Sequence, residues 1–329
     1  MELLLCNTNL AVTTVVCQLV KQPDKNFMVF TDVKNIYTFL SLIAPSNMEL
    51  HFIESNYGLL SLWGLLKKRE EIKTLVSKKE INNVYCYHQA FGGFYNWIIS
   101  YCHKRGCKIT YYRLLDNLVL PQAKGLRAFK LKMIYRLIYS TDIVVLERGN
   151  SLILPKLSTA FYQENEINEE RYLVDEEVLE KISQIVLSNL GLTINKHAIL
   201  LLTGSVIDTG QVTIQEYSQK IKDLIQHVGS NHIVAKCHPR FNDETEDEKK
   251  LAHIPSYIPM EFLLGYFKVY IGYNSTILKI AADKGLTAIS LVSYMKPVDE
   301  ERRDNWYNYF GKSNIIYPRG VFEILNVIK

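Results

Sequence analysis

The sequence predicts an α/β protein made of two similar halves, each with a parallel sheet covered by helices. Short apolar segments such as Leu3–Cys6, Phe27–Thr31 and His197–Thr203 alternate with segments of helical pattern along the chain. Strands that are apolar throughout are typical of parallel sheets buried on both faces. A length of 329 residues also favours two domains over one. We therefore expect twin Rossmann-like domains that face a central cleft.

The boundary between the two halves is expected near residue 165, which gives domains of residues 1–165 and 166–329. The segment Gln163–Glu180 is rich in Glu and Asn and has few apolar residues before Val178. This composition indicates the connection between the domains. A second polar run, Asn242–Lys250, is acidic and is predicted to be a solvated loop.

Charge and hydropathy exclude several classes of protein. The formal net charge is only +4, so no nucleic-acid partner is expected. The N-terminal Met1–Asn7 lacks a basic region and therefore predicts a first strand and not a signal peptide. No run approaches the ~18 apolar residues of a membrane span, and we expect a cytoplasmic protein. Residues 123–139 predict a basic amphipathic helix, which is either an ordinary solvent-facing helix or a contact with the inner face of the plasma membrane.

The cysteines predict neither a disulfide framework nor a metal site. No pair has the Cys-x-x-Cys spacing, and most of the six lie within apolar runs. Buried free thiols are the expected state. The residues are Cys6, Cys17, Cys86, Cys102, Cys107 and Cys237.

The segment Ile233–Phe241 carries the first functional signal. It begins as an apolar strand and stops at Pro239, whose ring cannot continue a strand. Lys236, His238 and Arg240 therefore lie near the carboxyl end of that strand, where ligands bind in open α/β sheets. A histidine there can donate to a phosphate or to a leaving-group oxygen. The alternative is an ordinary His-Pro turn.

Two further strand ends carry polar groups. The loop Gly204–Gly210 contains Ser205 and also Asp208, a carboxylate that could deprotonate a hydroxyl or simply form part of a turn. All three strand ends are expected at the same edge of a parallel sheet.

The third strand end is the turn Asn274-Ser-Thr276, which enters a helix. Its hydroxyls and free N–H groups form an anion site that the helix dipole favours. Ser275 is also a candidate N-cap, and one residue can serve both purposes.

The order of these motifs resembles a known family. Leu-Leu-Thr-Gly-Ser-x-x-Asp, a helix, Lys-Cys-His-Pro-Arg and a strand ending in a Ser/Thr cluster resemble the bacterial sialyltransferases of glycosyltransferase family 52. The opening Leu5-Cys-Asn-Thr-Asn9 is also similar to that family. The resemblance extends over most of the chain, but its motifs lie in the second half. It implies an inverting GT-B enzyme that transfers sialic acid from CMP-sialic acid to a terminal sugar, with galactose as the expected acceptor.

By position in the motifs, the resemblance implies that Asp208 is the general base and His238 the general acid that holds the CMP phosphate. The family usually carries an Asp-Asp-Gly or Glu-Asp-Gly element at the end of a first-half strand. This chain has Leu115-Asp-Asn117 there, so Asp116 is the alternative base. Residues 166–329 are expected to bind the donor and residues 1–165 the acceptor. The expected donor and phosphate ligands are Gly204, Ser205, Lys236, Pro239, Arg240, Asn274, Ser275 and Thr276.

The same resemblance predicts no metal and no other cofactor, and no Asp-x-Asp metal motif is evident. The expected partners are a CMP-sugar donor and a glycan acceptor of a capsule or lipooligosaccharide. Peripheral membrane association and a homodimer stay open. Three alternatives also stay open: a different CMP-nonulosonate such as CMP-Kdo, a UDP-hexose donor, and a non-catalytic GT-B-like binding protein.

Overall fold

A computed structural model gives the structure of the chain, which divides into two compact units, Met1–Lys181 and Ile182–Lys329. The element labels below number only the helices and strands that the structure describes. The described residues are 1–53, 62–87, 93–113, 133, 168–171, 175–191, 198–203, 206–207, 209–239, 244–310 and 313–328.

The first unit contains a parallel six-stranded sheet in the order β3-β2-β1-β4-β5-β6. This is the 3-2-1-4-5-6 order of Rossmann folds. The elements are β1 (Glu2–Leu5), α1 (Val12–Lys21), β2 (Phe27–Thr31), α2 (Lys34–Ile43), β3 (Met48–Phe52), α3 (Leu62–Ser77), β4 (Asn83–Cys86), α4 (Gly93–Lys104), β5 (Lys108–Arg113) and β6 (Asn168–Arg171).

The second unit contains a parallel five-stranded sheet in the order β11-β10-β7-β8-β9. Helix α5 (Glu176–Leu190) runs across the division between the units. The remaining elements are β7 (Ile199–Thr203), α6 (Ile214–Val228), β8 (Ile233–Cys237), β9 (Ala252–Ile254), β10 (Val269–Gly272), α7 (Thr276–Asp283), β11 (Thr287–Ser290), α8 (Glu300–Phe310) and α9 (Val321–Ile328).

Both sheets are built from the apolar runs that the sequence displays. All four residues of β1 and all five of β2 are buried, as expected for parallel strands covered on both faces. In the second unit, Ile221 and Leu224 of α6 pack on the sheet in one hydrophobic core. Each unit has a parallel sheet with helices between its strands, which confirms the predicted α/β class with two Rossmann-like domains.

The acidic segment Gln163–Glu180, expected as the connection between the domains, contains regular structure. It contains β6, which pairs with β5 at the edge of the first sheet, and the first residues of α5. An edge strand is partly solvated, so its sequence need not be apolar. The predicted boundary at residues 165 and 166 lies outside the described residues.

The acidic run Asn242–Lys250 is only partly a solvated loop. Glu248 is fully buried and its carboxylate accepts hydrogen bonds from the Tyr217 hydroxyl and the Thr245 N–H, both at 2.7 Å. Burial raises the pKa of Glu248, against the effect of these donors. The prediction was therefore wrong for Glu248. Its buried carboxylate receives one hydrogen bond from Tyr217, which lies far away in sequence, and one from Thr245, which lies within one turn.

Some of the other predictions are confirmed, and others concern residues that the structure does not describe. All six cysteines are buried free thiols, as expected. None of the helices in the described part of the chain has the length and apolar character needed to cross a membrane. The basic segment 123–139 lies outside the described residues apart from Met133.

Candidate functional site

The carboxyl ends of all five strands of the second unit lie at one edge of its sheet, because the strands are parallel. The chain moves from β7 to β8 and β9 on one side, and places β10 and β11 on the other. The topological switch point is therefore between β7 and β10, where ligands bind in open α/β sheets. The three polar strand ends that the sequence indicated follow β7, β8 and β10, which are neighbours in the sheet. We call this region the switch edge.

His238 lies immediately after β8 at the switch edge. Its N–H donates to the Thr203 carbonyl over 3.0 Å, one position beyond the last paired residues, Thr203 and Cys237. Pro239 follows and ends the strand. The backbone of His238 is thus fixed by the adjacent strand, and the residue is half-buried.

The Lys236 side chain connects two loops of the switch edge by hydrogen bonds. Its side chain is 4% exposed, and its Nζ donates to the carbonyls of Cys237 and Ser256, both at 3.0 Å. Burial lowers the pKa of Lys236 to about 8, although nearby Glu261 and Glu244 oppose this shift. Its ammonium group therefore joins the main chain just before His238 to the loop that follows β9. Its expected contact with a phosphate stays a prediction.

Glu244 connects the ends of β7 and β9. Its Oε1 accepts from the Thr203 hydroxyl at 3.2 Å and lies 2.8 Å from His253 Nε2. His253 Nδ1 lies 2.7 Å from the Leu251 carbonyl. Both ring nitrogens of His253 thus lie within hydrogen-bond distance of an oxygen. Sequence reasoning missed this pair because neither residue belongs to a motif.

Ser275 begins helix α7 at the switch edge and is its N-cap. Its Oγ accepts from the Ile277 N–H over 3.3 Å, which confirms the capping expectation. Helix α7 ends at Asp283, and Gly285, which follows the C-cap Lys284, has a φ of +76°, the left-handed backbone that commonly follows a helix. The N–H of Thr276 lies in the first turn, where orphan donors favour an anion.

Gln211 and Asn274 join the two loops that flank the switch point. The Asn274 Nδ2 donates to Gln211 Oε1 over 2.6 Å, and Gln211 is 6% exposed. Asn274 belongs to the predicted anion site, but Gln211 was not singled out. A lone glutamine after Gly210 gives no sequence signal of its own.

The segment Lys296–Tyr309 contains most of helix α8. The Val298 N–H donates to the Gln211 carbonyl at 2.9 Å, and Arg302 Nη1 donates to the Thr209 carbonyl at 2.7 Å. This segment therefore packs against the loop that follows β7. Burial raises the pKa of nearby Tyr273 to about 12, and the neighbouring Tyr307 adds to the shift.

Several predicted site residues lie outside the described part of the chain, and their roles stay predictions. They are the candidate bases and three donor ligands: Asp208, Asp116, Gly204, Ser205 and Arg240. The structure thus brings together His238, Lys236, Pro239, Asn274, Ser275 and Thr276 at one edge.

Comparison with known proteins finds solved structures that are similar to this chain, but it assigns the chain to no family. No protein-family model matches the chain, and the search of curated proteins found no match. The UDP-GlcNAc 2-epimerase from Neisseria meningitidis bound to UDP-GlcNAc is similar over 100% of this chain and 99% of its own, at 12% identity and a TM-score of 0.46. A spinosyn rhamnosyltransferase complexed with thymidine diphosphate is similar over 100% and 92%, at 9% identity and 0.46. A glycosyltransferase from Rickettsia africae is similar over 100% and 90%, at 11% identity and 0.41. TM-scores below 0.5 identify neither a family nor an activity.

Proposed function

We propose that the protein is a glycosyltransferase that transfers sialic acid from CMP-sialic acid to a terminal sugar of a bacterial surface glycan, with inversion and without a metal ion. One observation carries this proposal. The His-Pro turn, the glycine-rich loop and the Asn-Ser-Thr turn follow three neighbouring strands at the switch edge of a Rossmann-like unit. Their order along the chain is the one that resembles the family 52 sialyltransferases.

In this proposal the second unit holds the CMP phosphate. The N–H of Thr276 and the hydroxyl of Ser275 donate to phosphate oxygens at the start of α7, where the helix dipole favours negative charge. His238 donates to the phosphate oxygen that leaves the sugar. Lys236 keeps His238 in place by binding the carbonyls of Cys237 and Ser256.

The transfer step follows from these positions. The acceptor hydroxyl oxygen attacks the anomeric carbon, and the bond from that carbon to the phosphate oxygen breaks. CMP leaves with the bonding electrons, and His238 offsets the charge that develops on its phosphate. A carboxylate takes the acceptor proton, and Asp208 is the proposed base with Asp116 as the alternative.

The test is the release of CMP from CMP-sialic acid with and without a galactose-terminated acceptor, in the presence of EDTA. Release that depends on the acceptor is expected, together with tighter binding of CMP than of UMP. Binding of CMP without turnover would point to CMP-Kdo, a different CMP-nonulosonate or a non-catalytic protein. A preference for UMP would point to a UDP-hexose, and no nucleotide binding at all would overturn the proposal.

A further inference from the structure

Gln211 lies at the centre of a short chain of side-chain hydrogen bonds that crosses the switch point. Asn274 Nδ2 donates to Gln211 Oε1 at 2.6 Å, and Gln211 Nε2 donates to Thr209 Oγ1 at 2.7 Å. Thr209 and Gln211 follow β7, whereas Asn274 follows β10. The chain therefore links the two strand ends between which a ligand of this sheet would bind.

The hydrogen bond of Thr209 at one end of this chain determines which atom donates in each of the others. The Thr209 hydroxyl donates to the Val206 carbonyl, 3.5 Å away, and a carbonyl can only accept. The lone pairs of Thr209 Oγ1 therefore face the Gln211 amide nitrogen, and the Gln211 oxygen faces Asn274. As a result, Asn274 uses its Nδ2 on Gln211 and retains Oδ1 as an acceptor. Among the described residues, none donates to that oxygen, and Asn274 is half-exposed.

We propose that Asn274, oriented by Gln211, is a specificity residue that accepts a hydrogen bond from a hydroxyl group of the nucleotide sugar. This inference rests on the proposed function and changes the expected role of Asn274. An amide oxygen repels a phosphate oxygen but accepts from a hydroxyl. Because Asn274 precedes the N-cap Ser275, such a hydroxyl belongs to a group close to the bound phosphate, either the ribose or the transferred sugar.

The side chain of Gln211 can be changed without breaking the loop itself. Its N–H donates to the Val206 carbonyl at 3.0 Å, and its carbonyl accepts from the Val298 N–H at 2.9 Å. Both bonds belong to the main chain. Gln211→Met removes the partner of Asn274 at similar length. Gln211→Glu keeps an acceptor for Asn274 Nδ2 and also accepts from the Thr209 hydroxyl, so it preserves the orientation of Asn274.

The experiment measures CMP, 2′-deoxy-CMP and 3′-deoxy-CMP binding by calorimetry on the wild type and both variants, with the KM for CMP-sialic acid alongside. If the hydroxyl is on the ribose, one deoxy analogue binds the wild type about five- to tenfold more weakly than CMP. Gln211→Met should lose this discrimination and Gln211→Glu should keep it. If the hydroxyl is on the transferred sugar, Gln211→Met instead raises the KM for CMP-sialic acid and leaves CMP affinity unchanged.

The inference is overturned if Gln211→Met weakens all three nucleotides by the same factor, if it changes neither affinity nor KM, or if Gln211→Glu behaves like Gln211→Met. Each of these results leaves the proposed function intact, because the wild type still binds and uses the nucleotide. A wild type that binds none of the nucleotides overturns the proposed function and this inference together.

Discussion

The N–H of His238 donates to the Thr203 carbonyl over 3.0 Å and extends the pairing of β7 and β8 by one position. The ring of His238 therefore leaves the sheet at a point that the main chain fixes. Because this bond does not involve the side chain, the ring can be removed while its backbone position is kept. A substitution of His238 can therefore test the function of the ring.

His238→Ala is expected to lower kcat by about 10²- to 10⁴-fold, the range for loss of a positioned general acid. The thermal midpoint should stay close to that of the wild type. His232→Ala, at an exposed position before β8, is the control and should retain activity. Steady-state CMP release checks both variants. A His238→Ala variant with nearly normal kcat would remove this residue from the mechanism.

Ser275→Ala should both destabilise the protein and weaken CMP binding. Loss of an N-cap costs about 1 kcal/mol in the free energy of unfolding, and the hydroxyl is also a proposed phosphate donor. Thr213→Ala is the matched control, because the Thr213 side chain caps α6 by accepting from the Glu216 N–H over 3.3 Å. Urea denaturation and calorimetry with CMP are the measurements. Equal CMP affinities in the two variants would assign Ser275 to capping alone.

Lys236→Met should change how stability depends on pH. The folded protein releases the Lys236 proton at a pKa of about 8, below the ordinary value of 10.5. Between these values the unfolded state binds more protons, so this lysine makes the free energy of unfolding increase as the pH rises from about 8 to about 10.5. Denaturant titrations across that interval should show the increase in the wild type relative to Lys236→Met. Parallel curves for the two proteins would contradict the buried, pKa-shifted state of the ammonium group.

Two threonine substitutions should change stability in opposite directions. Thr14 is fully buried and its hydroxyl oxygen has no hydrogen-bond partner among the residues that the structure describes, so Thr14→Val should stabilise the protein by about 1 kcal/mol. The Thr203 hydroxyl donates to Glu244 at 3.2 Å, so Thr203→Val should destabilise it by about 1 kcal/mol or more. Urea midpoints of both variants give the comparison. Destabilisation by Thr14→Val would mean that its hydroxyl is satisfied in solution.

The sequence was informative wherever a local pattern determines the structure. The apolar runs Leu3–Cys6 and His197–Thr203 predicted buried strands, and β1 (Glu2–Leu5) and β7 (Ile199–Thr203) lie there, because apolar runs of this length suit a parallel sheet covered on both faces. Ser275 and Gly285 mark the two ends of α7 because capping and left-handed backbone depend on the residue itself. These features need no knowledge of distant partners.

The remaining features depend on partners that are remote in sequence. Lys236 is an example, because its ammonium group binds the carbonyl of Ser256, twenty residues away, as well as that of its neighbour. Gln211 gave no signal because its role arises only when Asn274 is brought beside it. Glu248 was assigned to a solvated loop because its buried partner Tyr217 lies in another element.

The sixth strand determines where the chain can be divided into stable pieces. Asn168–Arg171 pairs with Thr110–Arg113 along the edge of the first sheet. A fragment that stops at residue 165 would leave the last remaining strand with a row of unpaired N–H and C=O groups, an arrangement that promotes aggregation with other chains. A soluble fragment of the first unit must therefore extend beyond Arg171.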